Sequence, residues 1–268
     1  MSSKGLGSDS DTESIRLGCV LKYPGAKNRL AQWIVSFIPE HKVYLEPYFG
    51  SGAVFFNKKK ARIETINDLD RNVYIFFKVL RENPGELIRG LELTPFGRNE
   101  YNEAFRNTDD EIETARRFAV RCWQGFGCSN VYKNGFRSSQ QSVSPQTTKQ
   151  WIELPERLRI AAERLREAQI ENLPAVELLK RYDTKDVFIY LDPPYLHGTR
   201  KKYLYKHEMK DMEHILLLEM IKNHPGKVLI SGYDNEMYNT ILKGWNKAQT
   251  ETQAENGLKR TETLWYNY

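Results

Sequence analysis

No run of about 18 apolar residues occurs in the 268-residue sequence, so neither a helical membrane span nor a membrane partner is expected. Cysteine is scarce. Cys19, Cys122 and Cys128 are too few and too scattered for a metal site, and they accord with a reducing cytoplasm. The five histidines, His41, His197, His207, His214 and His224, lack ligand spacing as well, so no metal is expected. Neither the Gly-x-Gly-x-x-Gly of a dinucleotide loop nor the Gly-x4-Gly-Lys-Ser/Thr of a phosphate cradle is present. There is no internal repeat. The opening MSSKGLGSDSDTESIR has no apolar signal-peptide core, and residues 1–16 read as a disordered tail.

Acidic residues are missing from one long segment. Residues 114–152 contain no Asp or Glu, where an even spread of the chain's 35 acids would place about five. The same segment carries Arg116, Arg117, Arg121, Lys133, Arg137 and Lys149 among Phe118, Trp123, Phe126, Tyr132, Phe136 and Trp151. Basic side chains interleaved with aromatics, with no acid to repel phosphate, suit a surface that tracks nucleic acid. The overall charge of +5 adds only a mild bias in that direction.

Around that segment the sequence has an α/β rhythm. Val43-Tyr44-Leu45 reads as a buried strand leading into Glu46-Pro47-Tyr48-Phe49-Gly50-Ser51-Gly52, with a helix expected to begin at Ala53-Val54-Phe55-Phe56. A strand at 63–66 ends in Asn67-Asp68-Leu69-Asp70, and a helix follows with Val73, Phe76, Phe77 and Leu80 on one face and Pro84-Gly85 closing it. Residues 97–126 read as partly helical, 131–138 as a hairpin turning at Asn134-Gly135, and 138–149 as an exposed loop. Helices are expected from Pro155, near 175–181 and over 212–223, with strands at 169–171, 187–191 and 227–231 and a final hairpin ending at Leu264-Trp265. Met212, Ile215, Leu216 and Met220 read as a core stripe. The expected fold is α/β: a Rossmann-like, open, mixed sheet with a mainly helical insertion carrying a β-hairpin. Residues 17–93 and 153–268 would form the catalytic domain and 94–152 the insertion.

Val187-Phe188-Ile189-Tyr190-Leu191 runs without alternation, as in a strand buried on both faces, and stops at Asp192-Pro193-Pro194-Tyr195. The prolines cannot donate to a ladder, so the strand ends there. Asp192, preceding a proline, is biased to an extended backbone that carries its carboxylate beyond the strand's carboxyl end, the edge where open α/β sheets bind ligands. Glu46, Tyr48, Gly50 and Gly52 form a strand-to-helix turn in which glycines let a ligand lie against the backbone. Asp68, at the end of the next strand, is placed to accept both ribose hydroxyls of a nucleoside; the bland alternative is an N-cap. An acid without a phosphate loop fits a nucleoside lacking pyrophosphate, such as S-adenosylmethionine. Ser51 belongs to the turn rather than to a nucleophilic triad.

These segments, EPYFGSG (46–52), NDLD (67–70), LKYPGAK (21–27) and DPPY (192–195), together resemble the alpha group of the Dam-type DNA adenine methyltransferases, in sequence order as well as in content. LTPFGR (93–98), SGYD (231–234) and ETLWYN (262–267) extend the resemblance over residues 18–268. It implies a sheet of class I methyltransferase type, with Tyr23 and Lys27 helping to hold S-adenosylmethionine beside Glu46, Tyr48, Gly50, Gly52 and Asp192, Asp68 binding its ribose, and Asp192, Pro193, Pro194 and Tyr195 forming the catalytic loop acting on double-stranded DNA. Two departures are Tyr23-Pro24, where an aromatic and a small residue are common, and an insertion unlike that of members reading GATC.

The adenine amine is a poor nucleophile because its lone pair is delocalised into the ring. Asp192 and the Pro193 carbonyl, each accepting one amine hydrogen, would draw the nitrogen toward tetrahedral geometry, with Tyr195 stacked on the base. The base must first be flipped out of the duplex. Arg116, Arg117, Arg121, Gln124, Asn130, Lys133, Asn134 and Arg137 are candidate base or phosphate contacts, and Arg200 and Lys201, in the basic stretch His197-Gly198-Thr199-Arg200-Lys201-Lys202, are candidates on a mobile flap. Three alternatives stay open: the same chemistry on cytosine N4 or RNA, a non-catalytic DNA-binding module on this fold, and a nicotinamide-dependent oxidoreductase.

Overall fold

The computed structural model describes residues 17–127, 132–139, 146–196, 205–253 and 259–268. Its frame is one sheet. In chain order the strands are β1 (Val43–Glu46), β2 (Ile63–Asn67), β3 (Gln169–Glu171), β4 (Val187–Leu191), β5 (Lys227–Tyr233), β6 (Asn246–Gln253) and β7 (Lys259–Tyr266). Their spatial order is β3-β2-β1-β4-β5-β7-β6, with β7 antiparallel to both its neighbours and the other pairings parallel. This is the class I methyltransferase arrangement.

The unbroken apolar character of β4 reflects burial on both faces. Phe188 and Tyr190 join Tyr44, Leu229 and Leu264 in one core, while Val187, Ile189 and Leu191 join Leu45, Val228, Ile230 and Trp265 in the other. Helices α1 (Ala31–Val35), α2 (Arg71–Glu82), α3 (Pro84–Glu92), α5 (Glu111–Gln124), α6 (Thr147–Ile152) and α7 (Leu154–Leu165) lie on the first side, and α4 (Arg98–Glu103) packs on α5. The second is covered by α8 (Ala175–Arg181), α9 (Asp211–Lys222) and α10 (Glu236–Ile241). No helix among the described residues is long and apolar enough to cross a membrane.

Helix α2 shows how the local sequence produces its element. Asp70 caps it by accepting from the Asn72 amide at 3.0 Å, and Val73, Phe76, Phe77 and Leu80 recur at helical spacing on the buried face. Helix α5 is capped in the same way by Asp110 and buries Phe118, Ala119, Cys122 and Trp123 in the core that holds Phe76 and Leu80. Helix α5 therefore belongs to the core on the sheet's first side.

Several expectations are corrected. Pro84 ends α2 but also opens α3, because its missing N–H is harmless at a first helical position. Ala53-Val54-Phe55-Phe56 yields only a 3-10 turn, Phe55–Asn57, since the chain goes extended at Lys58 to reach β2. The Asn134-Gly135 turn does not form. Instead Phe136 bridges to Gly125, with Phe126 N–H donating to the Gly135 carbonyl and Arg137 N–H to the Gln124 carbonyl, both at 2.7 Å. The Tyr101 hydroxyl holds the Asn134 carbonyl at 2.6 Å, drawing this segment onto α4 and the end of α5. On α9 the buried face is His214, Leu217, Leu218 and Ile221, leaving Met212 and Leu216 largely exposed. The consecutive apolar residues 215–218 make the helix apolar on every side, so periodicity alone does not select the face.

Candidate active site

The carboxyl ends of β1, β2 and β4 deliver three carboxylates, Glu46, Asp68 and Asp192, to one cavity. Tyr23, Lys27, Tyr48, Gly50 and Pro194 line it with them. The turn after β1 depends on glycine: Gly50 and Gly52 have φ of 50° and 69°, in the left-handed region, and a Cβ on Gly52 would lie 2.6 Å from both the Phe49 and Phe56 rings.

Asp68 braces this turn. Its Oδ2 accepts from the Gly50 amide at 2.7 Å and its Oδ1 from the Asp70 amide at 2.8 Å. Burial nevertheless outweighs these bonds and raises its carboxyl to about 7. The helix cap is Asp70, not Asp68. Glu46, buried and accepting from the Tyr44 hydroxyl at 2.7 Å, is pushed up to about 8 by desolvation. Asn67, which no local pattern marks as a site residue, ties the site together. Its amide nitrogen donates to the carbonyls of Pro47 and Leu173, and its side-chain oxygen accepts from the Leu173 amide.

Both oxygens of Asp192 are engaged, Oδ2 by the Lys27 ammonium at 2.7 Å and Oδ1 by the Ser231 hydroxyl at 2.9 Å. Burial would lower the Lys27 ammonium, but Asp192 and Glu262 outweigh it and hold it above the ordinary lysine range. Lys27 also donates to the Gly25 carbonyl at 2.9 Å and sits 4.7 Å from the Tyr195 ring centroid. The Tyr195 hydroxyl donates to Glu262, and its ring meets Tyr233 edge-on at 4.7 Å. Ser231, Tyr233 and Glu262 lie inside segments that carry the family resemblance, yet nothing in their local sequence marks them. The antiparallel pairing of β5 with β7, which sets Tyr233 opposite Glu262, brings them to Asp192.

The candidate DNA residues divide. Arg116 is held by Glu113 and Glu100 at 2.6 Å and by Thr94 at 2.8 Å, and Arg117 by Glu113 and the Arg106 and Asn107 carbonyls. Arg121 donates to the Ala104 carbonyl, while Gln124, fully buried, bonds the Gly97 amide and the Pro95 carbonyl. These four tie α5 and its carboxyl end to α4 and the turns beside it, and Glu113 and Glu100, which pair with Arg116 and Arg117, lie outside the acid-free segment. Arg137 donates through Nε to the Gly125 carbonyl at 3.0 Å. Lys133 is exposed, 5.3 Å from the Phe105 ring centroid, with Phe126 and Tyr132 exposed nearby in sequence. Asn130 and the whole of the flap, residues 197–202 with Arg200 and Lys201, lie outside the described residues.

The glycine turn, Glu46 and Asp68 thus share one cavity with Asp192 and Pro194 at the end of β4. The D12 class N6 adenine-specific DNA methyltransferase family matches residues 23–256, and the chain belongs to that family. Its reaction is transfer of a methyl group from S-adenosylmethionine to adenine N6 in DNA. Curated relatives include the type II methyltransferase M1.LlaDCHI of Lactococcus lactis subsp. cremoris, 25% identical over 95% of this chain and 96% of that protein. The type II methyltransferase M.MjaIII of Methanocaldococcus jannaschii is 22% identical over 84% of this chain and 88% of that protein. Among solved structures, a SAM-dependent methyltransferase from Agrobacterium tumefaciens aligns with a TM-score of 0.39 at 8% identity, over 90% of this chain and 62% of that one, a likeness too distant to bear on function.

Proposed function

We propose that this protein is a site-specific methyltransferase acting on adenine in double-stranded DNA, with the base flipped into the cavity, and that it serves as the modifying enzyme of a type II system in the cytoplasm. The observation that carries this reading is the continuity of Asp192 and Pro194 with Asp68 and the Gly50 turn around one cavity. Donor and acceptor can then meet without leaving it.

The residues fit the donor. Asp68 is a half-buried carboxylate on the cavity wall, so ribose hydroxyls would satisfy lone pairs that its two backbone partners leave over, and Gly50 has no Cβ to stand between the turn and a ligand. When bound, S-adenosylmethionine supplies an electrophilic methyl group on a sulfonium. Tyr23, Glu46, Tyr48 and Gly52 shape its site alongside Asp68. Asp192 and the Pro193 carbonyl accept the two amine hydrogens, turn the nitrogen lone pair toward the donor, and Asp192 takes the proton released on transfer. Pro193 and Pro194 keep the loop out of the ladder, and Tyr195 stacks on the base, a contact worth about 1–3 kcal/mol in single-strand sites. Because the displacement consumes charge, alignment and exclusion of water supply most of the catalysis.

Flipping costs a few kcal/mol, which contacts from the insertion must offset. Lys133, Arg137, Asn134 and Asn130, with the exposed rings of Phe126 and Tyr132, are assigned to the duplex, and Arg200 and Lys201 to the backbone beside the flipped base. Sequencing DNA from a host without adenine methylation that expresses the protein tests the whole reading. N6-methyladenine in one short motif is expected; methylcytosine alone, methylated RNA alone, or binding without modification would replace it by one of the alternatives.

A further inference from the structure

An adenine amine that donates to Asp192 has to take a place already held by Ser231 or Lys27. Ser231 is fully buried in β5 and does not line the cavity, whereas Lys27 does. Lys27 is therefore the group that yields. Its side chain is only 8% exposed, so a displaced ammonium would be buried without a counter-charge unless a second acceptor stood close by.

Glu262 is such an acceptor. It is 3% exposed, and its Oε1 lies 3.8 Å from Lys27 Nζ while also receiving the Tyr195 hydroxyl. Like Pro193 and Tyr195 it is not on the cavity wall, and its contacts are the Lys27 ammonium and the Tyr195 hydroxyl. A move of about 1 Å would bring the ammonium into hydrogen-bond range of this carboxylate. Burial raises the Glu262 carboxyl and Lys27 lowers it, so the lysine's approach favours the ionised form that receives it.

We infer that Glu262 is a positioning residue that takes over the Lys27 ammonium when the target amine displaces it from Asp192, so that one buried lysine alternates between two carboxylates as the base enters and leaves. The empty enzyme then never holds Asp192 as an unpaired buried charge, and the loaded enzyme frees Oδ2 without stranding Lys27. The inference rests on the reading that Asp192 accepts the adenine amine.

Glu262→Gln tests it, because the amide oxygen can still accept from Tyr195 while the charge that receives Lys27 is gone. At saturating tritiated S-adenosylmethionine and DNA from a host without adenine methylation, single-turnover transfer should slow by about 30-fold, since an ammonium left without its second carboxylate stays on Asp192. Cofactor affinity by calorimetry should remain within about threefold, because no cofactor contact is removed. Glu262→Asp, which keeps the charge, should recover part of the rate. Transfer by Glu262→Gln at the wild-type rate, or equal losses in the Gln and Asp variants, would overturn the inference. Should Glu262→Gln not fold, the wild-type protein decides: the Lys27 Nζ signal in 15N-lysine NMR, assigned through Lys27→Arg, must move when a duplex carrying the mapped site is added, and an unmoved signal overturns the proposal. Failure here is separable from failure of the underlying reading. Activity retained by Asp192→Ala defeats both, whereas an inert Asp192→Ala beside a fully active Glu262→Gln defeats only the role given to Glu262.

Discussion

Lys27 and Asp192 stand 165 positions apart in the chain and meet at 2.7 Å. The segment before α1 is thereby fastened to the loop after β4, and the donor and acceptor halves of the site share one charged cluster. Removing the carboxylate should therefore affect chemistry much more than cofactor binding. Asp192→Ala is expected to reduce single-turnover transfer by about 10³-fold or more, in the range for losing a positioned acceptor in the transition state. Its affinity for S-adenosylmethionine by calorimetry should change only a few-fold. Wild-type turnover by this variant would remove Asp192 from the mechanism.

Asp68 separates the two halves from the other side. Asp68→Ala deletes the acceptor for the Gly50 amide as well as the carboxylate facing the cavity. The dissociation constant for S-adenosylmethionine should rise about 10- to 100-fold, the worth of one or two hydrogen bonds to a charged group. Transfer at saturating cofactor should stay within several-fold of wild type. A fall in saturated rate at unchanged affinity would contradict the ribose-binding role.

The raised carboxyls of Asp68, to about 7, and Glu46, to about 8, make two pH dependences. Both groups are protonated more readily folded than unfolded, so the stability they contribute is complete below about pH 4 and is lost as pH rises through 7 and 8. Thermal melting of the cofactor-free protein should show a decline across that window that Glu46→Gln reduces. Cofactor affinity should run the other way, tightening by up to about tenfold per pH unit until Asp68 ionises near 7, because the carboxylate is the form that accepts ribose hydroxyls. A pH-independent affinity that Asp68→Asn leaves unaltered would rule out this coupling.

Gly52 admits no side chain. With its φ of 69°, and with two phenyl rings 2.6 Å from where a Cβ would stand, Gly52→Ala must either strain the backbone or move Phe49 and Phe56. A loss of about 1–3 kcal/mol in stability is expected, seen as a lower melting temperature. Cofactor affinity should fall with it; an unchanged melting curve would show that the turn can relax.

Arg116 and Lys133 should separate by function although both lie in the acid-free segment. Arg116→Ala, which takes the arginine from Glu100 and leaves Glu113 with Arg117 alone, is expected to cost about 1–3 kcal/mol of stability. Lys133→Ala should leave the melting temperature unchanged but weaken DNA binding and reduce the slope of log affinity against log salt by about 1. The opposite pattern would reverse the two assignments.

The elements legible in the sequence were those whose cause is local. The apolar spacing of Val73, Phe76, Phe77 and Leu80 specifies α2, although only the structure shows that Asp70 caps it, and the unbroken run of β4 ending at two prolines specifies a doubly buried strand and its carboxyl-edge loop. Gly50, Gly52, Asp68 and Asp192 were legible for the same reason, since each sits where a strand stops. The hairpin at Asn134-Gly135 failed because a tertiary contact, Tyr101 hydroxyl to Asn134 carbonyl, outweighed a two-residue turn preference. The core face of α9 failed because apolar residues surround the helix.

The sequence by itself determined the class of fold and set Asp68, Asp192 and the prolines after it at the sheet's carboxyl edge, because strand termination and glycine conformation act over a few residues. Only the tertiary structure decided which arginines are braces, and which side chains surround Asp192. Lys27, Ser231 and Glu262 reach that carboxylate from three separate parts of the chain, and their strong pairing there arises from burial, which no local pattern of residues records.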